Sequence, residues 1–280
     1  MSSFQEGSPA GWALLAISAL LAGAVNAIAG GGTILTFPVL AAILPADPAR
    51  LVTANATSTI GLWPAAAVAA WSYRDDRAGL PSWARWLALP SVVGAAIGTG
   101  LLLWLPPSWF DGLVPWLILL AAVLFAVQPR IAAWAGSGRE TTPGDATPAA
   151  EMPAGRIAMA CGLQLLVGIY GGYFGAGIGI LMLAELAMLS LGDIHRVNAV
   201  KNVLGMLVNG VATAVFAIGS LAGSHEVSWP HALVMAAAAM AGSHWASFLA
   251  RRVPPAAMRR IVSIIGFGLA AYYFWRQWRS

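Results

Sequence analysis

The chain has 280 residues, of which 59% are hydrophobic and 9% charged, with a net charge of +4. A soluble domain carries roughly 25% charged residues, so this composition excludes a water-covered globule and points to a protein solvated by lipid. The mean hydropathy of +0.75 and the long apolar runs imply α-helices. A membrane barrel would instead alternate apolar and polar residues.

Ten apolar segments follow in chain order, at about 12–28, 33–44, 51–73, 83–105, 112–134, 156–172, 177–191, 197–220, 229–250 and 256–276. Most approach the roughly 20 residues that cross a bilayer. The second and seventh are short, and each is second in a group of five. The expected fold is all-α and polytopic, with two five-segment repeats over 1–134 and 156–280. The Gly/Pro/Thr-rich stretch 135–155 between them reads as a flexible cytoplasmic linker. The opening residues MSSFQEGSPAG carry no basic run, so the first apolar segment is expected to remain as a helix.

The basic residues set the orientation. With ten crossings, Arg74, Arg77, Arg85, Arg130, Arg139, Arg156, Arg196, Arg251, Arg252, Arg259 and Arg260 share one side, against Arg50, Arg276 and Arg279 on the other. The arginine-rich side is cytoplasmic by the positive-inside rule, which leaves both termini periplasmic. Five crossings per group make the second repeat an inverted copy of the first. Tryptophans such as Trp12, Trp71, Trp104 and Trp275 cluster near segment ends, as an interfacial belt does.

The short segments carry the interruptions. Gly30-Gly31-Gly32 precedes Thr33 and Pro38, and Gly175-Ala176-Gly177-Ile178-Gly179 opens the seventh segment. The two runs align, with Gly23 answering Gly168, Gly30 and Gly32 answering Gly175 and Gly177, and Asn55-Ala56 answering Asn198-Ala199. Neither run ends in the Gly-Lys-Ser/Thr of a phosphate loop or follows a strand. Small residues also let membrane helices approach, which would account for Gly94, Gly98 and Gly100. Three successive glycines before a proline instead disfavour a continuous helix. A helix broken at membrane depth exposes N–H groups and the positive end of its dipole, which together attract an anion. Paired broken segments in two halves are the sequence mark of a transporter's binding site.

Polar residues gather beside these breaks. Asn26 precedes the triple glycine; Asn55, Thr57, Ser58 and Thr59 lie early in the third segment; Asn198, Lys201 and Asn202 lie early in the eighth. Lys201 is the one lysine of the chain, about five residues and so roughly 7–8 Å beyond Arg196. It reads either as an intramembrane charge that attracts an anion or as a side chain that snorkels to the interface. Glu185, also inside an apolar run, is a candidate for coupling to a proton or cation, or for a structural pair with Lys201 or His195. The histidines have no metal-ligand spacing, the lone Cys161 excludes a disulfide and reads as buried packing, and no serine sits in a nucleophile elbow. Neither catalysis nor a cofactor is expected, and the charge needs no nucleic acid as partner.

Taken together, Asn26-Ala27-Ile28-Ala29-Gly30-Gly31-Gly32 with Pro38, then Thr53-Ala54-Asn55-Ala56-Thr57-Ser58 and Trp63-Pro64, resemble the sulfite exporter TauE/SafE family (TSUP family). Gly171-Gly172-Tyr173-Phe174-Gly175-Ala176-Gly177-Ile178-Gly179 and Asn198-Ala199-Val200-Lys201-Asn202 repeat the resemblance. The resemblance implies a secondary transporter in a bacterial inner membrane, with sulfite, sulfoacetate or related organosulfonates as characteristic substrates. The second copy has Gly171 in place of Asn26 and Gly-Ala-Gly in place of the triple glycine, so its half-site differs from the first. The expected substrate site comprises Asn26, Gly31, Gly32, Asn55, Thr57, Gly177, Gly179, Asn198 and Lys201. The other classes that fit are an anion channel on the same half-helices and a membrane subunit without transport.

Overall fold

The computed structural model describes residues 8–28, 30–74, 82–136, 153–189, 194–249 and 255–279. Among them are ten α-helices: α1 (Pro9–Ile28), α2 (Thr33–Ile43), α3 (Arg50–Ser72), α4 (Ala88–Trp104), α5 (Pro107–Gly136), α6 (Ala154–Tyr173), α7 (Ile178–Met188), α8 (Ile194–Leu221), α9 (Trp229–Leu249) and α10 (Pro255–Arg279). A 3-10 turn, Ser82–Leu87, leads into α4. The described residues hold no strand. Most of the expected linker, 137–152, lies outside the described residues; its ends at 135–136 and 154–155 are helical.

Local chemistry explains the helix limits. Pro9, Pro107 and Pro255 open α1, α5 and α10, where the missing N–H costs nothing because that donor has no intrahelical partner. α2 and α7 each have 11 residues, a rise of about 16 Å, close to half of a bilayer core about 30 Å thick. Both start at a glycine, Gly32 and Gly177.

Among the described residues, five stretches are long and apolar enough to cross a membrane: Pro9–Ala27, Ala84–Trp104, Pro107–Ile131, Ala154–Tyr173 and Arg196–Leu221. The exterior is apolar too, with Ile17, Leu89, Leu166, Ile218, Leu233 and Ile264 all exposed. A patchwork of bare aliphatic side chains on this scale belongs in lipid. The protein is a helical, membrane-embedded one.

Packing fixes the directions of the helices. Trp12 stacks on His231 at 4.3 Å, and Gly23 and Gly242 bring the backbones of α1 and α9 into contact further along. α1 and α9 therefore run parallel. α3 also runs parallel to α9: Thr57 Oγ1 accepts from the Ser228 N–H at 3.1 Å, Gly61 abuts Met235, and Ser243 Oγ donates to the Ala65 carbonyl at 3.0 Å. In the same way α4 lies parallel to α6, with Gln164 Nε2 donating to Ser91 Oγ at 2.7 Å and Thr99 Oγ1 to the Gly172 carbonyl at 3.1 Å. Gly94 and Gly98 permit this approach, whereas Gly100 faces open space and packs nothing, contrary to the packing role expected for it.

α5 and α10 are antiparallel, with Gln277 beside Gly112, Phe274 edge-on to Trp116 at 4.9 Å, and Gly266 against Ala122. α3 and α8 are antiparallel as well, since Trp63 meets Gly210 while Ala66 and Ala69 face the Lys201–Met206 turn. The main core runs between these layers and includes Phe37, Phe110, Phe125, Phe174 and Phe216. Cys161 is half-buried on α6 against the Trp86 carbonyl, less enclosed than the sequence led us to expect.

Candidate functional site

The two glycine-rich turns meet in the buried interior. After α1, Gly30 and Gly31 take φ of 72° and 110°; after α6, Gly175 and Gly177 take 78° and 76°. These left-handed values are where a Cβ is costly. Asn26 holds the first turn, its Oδ1 accepting from the Gly31 N–H at 3.1 Å. The second turn has no asparagine; there Tyr170 Oη donates to the Ala176 carbonyl.

Each turn fits against the other. A Cβ on Gly30 would lie 2.6 Å from Gly179 Cα, and one on Gly31 would collide with the Gly177 backbone. Backbone therefore lies directly on backbone, and α2 and α7 begin within one cluster. The positive ends of two half-helix dipoles converge there.

Beside this junction lies a small cavity lined by Asn26, Gly30, Gly179, Lys201, Asn202 and Asn209, with Ala66 and Ala69 of α3 closing one wall. Its volume is about 20 Å³, room for about one water molecule. Lys201 is 2% exposed, and its Nζ donates to Asn198 Oδ1 at 2.9 Å. Asn202 Nδ2 is buried with no hydrogen-bond partner among the described residues. Asn209 Nδ2 donates to the Gly205 carbonyl at 2.9 Å. The Lys201 ammonium and, beside it, the Asn202 amide, a donor with no hydrogen-bond partner among the described residues, give this small space an appetite for an acceptor.

The expected site residues divide into three groups. Asn26, Gly179 and Lys201 line the cavity. Gly31, Gly177 and Asn198 stand directly behind it, the glycines in the backbone junction and Asn198 as the partner of Lys201. Gly32 starts α2 with its face against Ala22. Asn55 and Thr57 are elsewhere. Asn55 Nδ2 donates to the Tyr173 carbonyl at 3.1 Å, tying α3 to the end of α6, and its Oδ1 is buried without a partner. Thr57 is fully buried and fastens α3 to the start of α9.

Glu185 is 4% exposed, with neither carboxylate oxygen hydrogen-bonded among the described residues. It lies on α7 within electrostatic range of Cys161. Among the described residues no hydrogen bond joins it to Lys201, and the His195 side chain lies outside them. Asn202 belongs to the polar cluster and the second motif expected beside the break but not to the expected substrate site, and Asn209 belongs to neither. Lys201, Gly205 and Asn209 recur every four residues, so helical periodicity alone would have placed Asn209 on the lysine's face. No metal-holding group of three His, Cys, Asp or Glu side chains exists among the described residues.

An apolar helical shell around a small donor-lined cavity is the architecture of a helical membrane protein. The profile of the family described as Sulfite exporter TauE/SafE matches residues 15–273, and the chain belongs to that family of membrane transporters, as the motifs around Gly30 and Gly175 led us to expect. A curated protein of Haemophilus influenzae (strain Rd), described as "Probable membrane transporter protein", is 24% identical over 260 residues, covering 92% of each chain. No solved structure matches the chain.

Proposed function

We propose that this protein is a secondary transporter that moves a small anion, sulfite, sulfoacetate or a related organosulfonate, across a bacterial inner membrane by alternating access. The observation that carries the reading is the cavity beside the paired half-helix N-termini, where Lys201 and Asn202 supply donors and no carboxylate lines the wall. A sulfonate is larger than a water molecule, so a cavity of about 20 Å³ has to open for loading. That need fits a site that is exposed in turn to each side.

Ten crossings in two inverted halves are supported by the helix directions. α1 and α3 both run parallel to α9, so the Gly30–Ile43 segment returns the chain to the side from which α1 began. The related pairs α3/α8 and α5/α10 are antiparallel, as inversion requires. In the orientation set by the arginines, the linker is cytoplasmic and both termini are periplasmic. Glu185, buried without a donor, is the proposed coupling residue for a proton or cation.

Flux in proteoliposomes tests the reading. Wild type is expected to take up sulfite or sulfoacetate saturably and with counter-ion dependence. Lys201→Gln and Asn202→Leu should each reduce flux at least tenfold with unchanged insertion, since each removes a buried donor worth about 1.5–3 kcal/mol when it meets a charge. Glu185→Gln should keep exchange at equal concentrations on both sides and lose ion-driven accumulation. Normal flux in both cavity variants would place the site elsewhere, and linear, non-saturating conductance would make the protein a channel.

A further inference from the structure

A second polar space lies at the end of the molecule where α3 and α5 begin and α10 finishes. This pocket has a volume of about 300 Å³ and is lined by Asp47, Arg50, Asp111, Tyr273, Arg276 and Gln277. It shares no lining residue with the central cavity. Its charged walls come from the loop before α3, from α3, from α5 and from α10, so both groups of five helices contribute.

The charges face one space without closing on each other. Arg50 and Arg276 both act electrostatically on the Asp111 carboxylate and the Tyr273 hydroxyl. Among the described residues, however, no carboxylate comes within 4.0 Å of either guanidinium. Asp47 is already engaged, its Oδ1 accepting from the Ala49 N–H at 2.7 Å at the start of α3. Gln277 Nε2 donates to the carbonyls of Asp111 and Gly112 at 3.4 and 3.3 Å, which fixes the end of α10 to α5. Two guanidiniums and the Asp111 carboxylate face the space, with the second oxygen of Asp47 at its edge and the nearly buried Tyr273 beside them.

The distribution of arginines adds an independent reason. The expected outer side of this chain holds only Arg50, Arg276 and Arg279, because positive charge is disfavoured there. Two of these three converge on the same pocket from opposite ends of the chain. A simple anion entering here would satisfy the guanidiniums but meet Asp111, and a simple cation would meet the reverse. A molecule carrying both charges pairs with each wall and leaves none opposed.

We propose that this pocket binds a small zwitterion, an amino acid or ω-amino acid, with its acid group across Arg50 and Arg276 and its ammonium toward Asp111. The assignment stands apart from the central cavity. Because Arg50 and Asp111 belong to the first five helices and Arg276 to the last five, an occupant ties the two groups together at this end. Binding is therefore expected to raise the melting temperature as well.

Titration calorimetry on the full-length protein in detergent tests this with glycine, β-alanine and 4-aminobutanoate, each beside its acid-only and amine-only analogues. At least one amino acid should bind at least tenfold more tightly than both of its analogues. Arg276→Gln and Asp111→Asn should each weaken that binding about tenfold, while Lys201→Gln, a change in the central cavity, leaves it intact. Three results overturn the proposal: no saturable binding of any of the amino acids, equal binding of the acid-only analogue with Asp111→Asn indifferent, or loss of binding in Lys201→Gln with Arg276→Gln unaffected. The last would put the ligand in the central cavity. Loss of anion flux in Lys201→Gln bears on the transport reading alone.

Discussion

At the scale of single residues, the glycines of this chain perform two jobs that look alike in the sequence. Gly31 has φ of 110° and its α-carbon faces the Gly177 backbone, so a side chain there meets both a forbidden conformation and an immovable neighbour. Strained backbone of this kind costs about 1–3 kcal/mol at one residue, and the clash between the two turns adds to it. Gly100 lies in the middle of α4 with open space beside it, where alanine is the better helix former by about 0.5–1 kcal/mol. Gly31→Ala is therefore expected to lower the melting temperature and abolish flux, while Gly100→Ala leaves flux unchanged and holds or raises the melting temperature. Thermal unfolding followed by tryptophan fluorescence, with flux measured on the same preparations, checks the pair. Equal behaviour of the two variants would mean that the turn-on-turn contact does not organise the site.

At the scale of the element, most of the helices were readable because lipid imposes one rule on all of them. Apolar runs of membrane length must be helical, and the expected segments 33–44 and 229–250 differ from α2 and α9 by a residue at one end. α5 was harder: it extends to Pro107–Gly136, beyond the expected 112–134, because Pro107 starts a helix as readily as it ends a loop. The short α2 and α7, and the glycine breaks before them, were also legible. The partners of polar side chains were not. Asn55 and Thr57, expected among the substrate ligands, make hydrogen bonds that fasten α3 to α6 and α9, contacts between residues far apart in sequence. Whether α2 crosses or turns back was equally hidden in a single sequence, but the shared direction of α1 and α3 bears on it. With Cys161 replaced by serine, Ser8→Cys and Ala46→Cys should react with an impermeant maleimide from the same side, and Arg74→Cys from the opposite side. Labelling of Ala46→Cys from the side opposite to Ser8→Cys would make α2 re-entrant.

At the scale of the whole molecule, the question is which route to the cavity this conformation closes. Four aromatic rings from α2, α5 and the end of α6 interlock: Phe37 with Phe174 at 5.4 Å, Phe37 with Phe110 at 6.2 Å, and Phe110 with Tyr173 at 5.6 Å. Phe37, Phe110 and Phe174 are almost wholly buried. The cluster sits toward the end where α5 begins, since Phe110 adjoins Asp111 in the zwitterion pocket, and Phe174 touches the glycine junction through Gly175. The small cavity borders α3 at Ala66 and Ala69, 11 or more residues past the Asn55 that binds the Tyr173 carbonyl, or about 16 Å further along the helix. In the proposed orientation, the rings lie across the outer route and the cavity falls on the inner side of them. Edge-to-face pairs contribute about 0.5–1.5 kcal/mol each beyond their burial, enough together to hold a closed gate and few enough for a substrate-linked motion to release. Phe110→Leu, which preserves most of the volume and removes the ring contacts, is expected to favour the outward-open form. It should speed labelling, in a background with Cys161 replaced by serine, of a cysteine placed at Met206 in the cavity wall from the outer face, and reduce accumulation while downhill flux persists. Phe110→Ala should exaggerate both effects at a stability cost of about 3–5 kcal/mol, so the leucine variant carries the comparison. If labelling at Met206 from the outer face is unchanged in Phe110→Leu, the rings are ordinary core and the gate lies elsewhere.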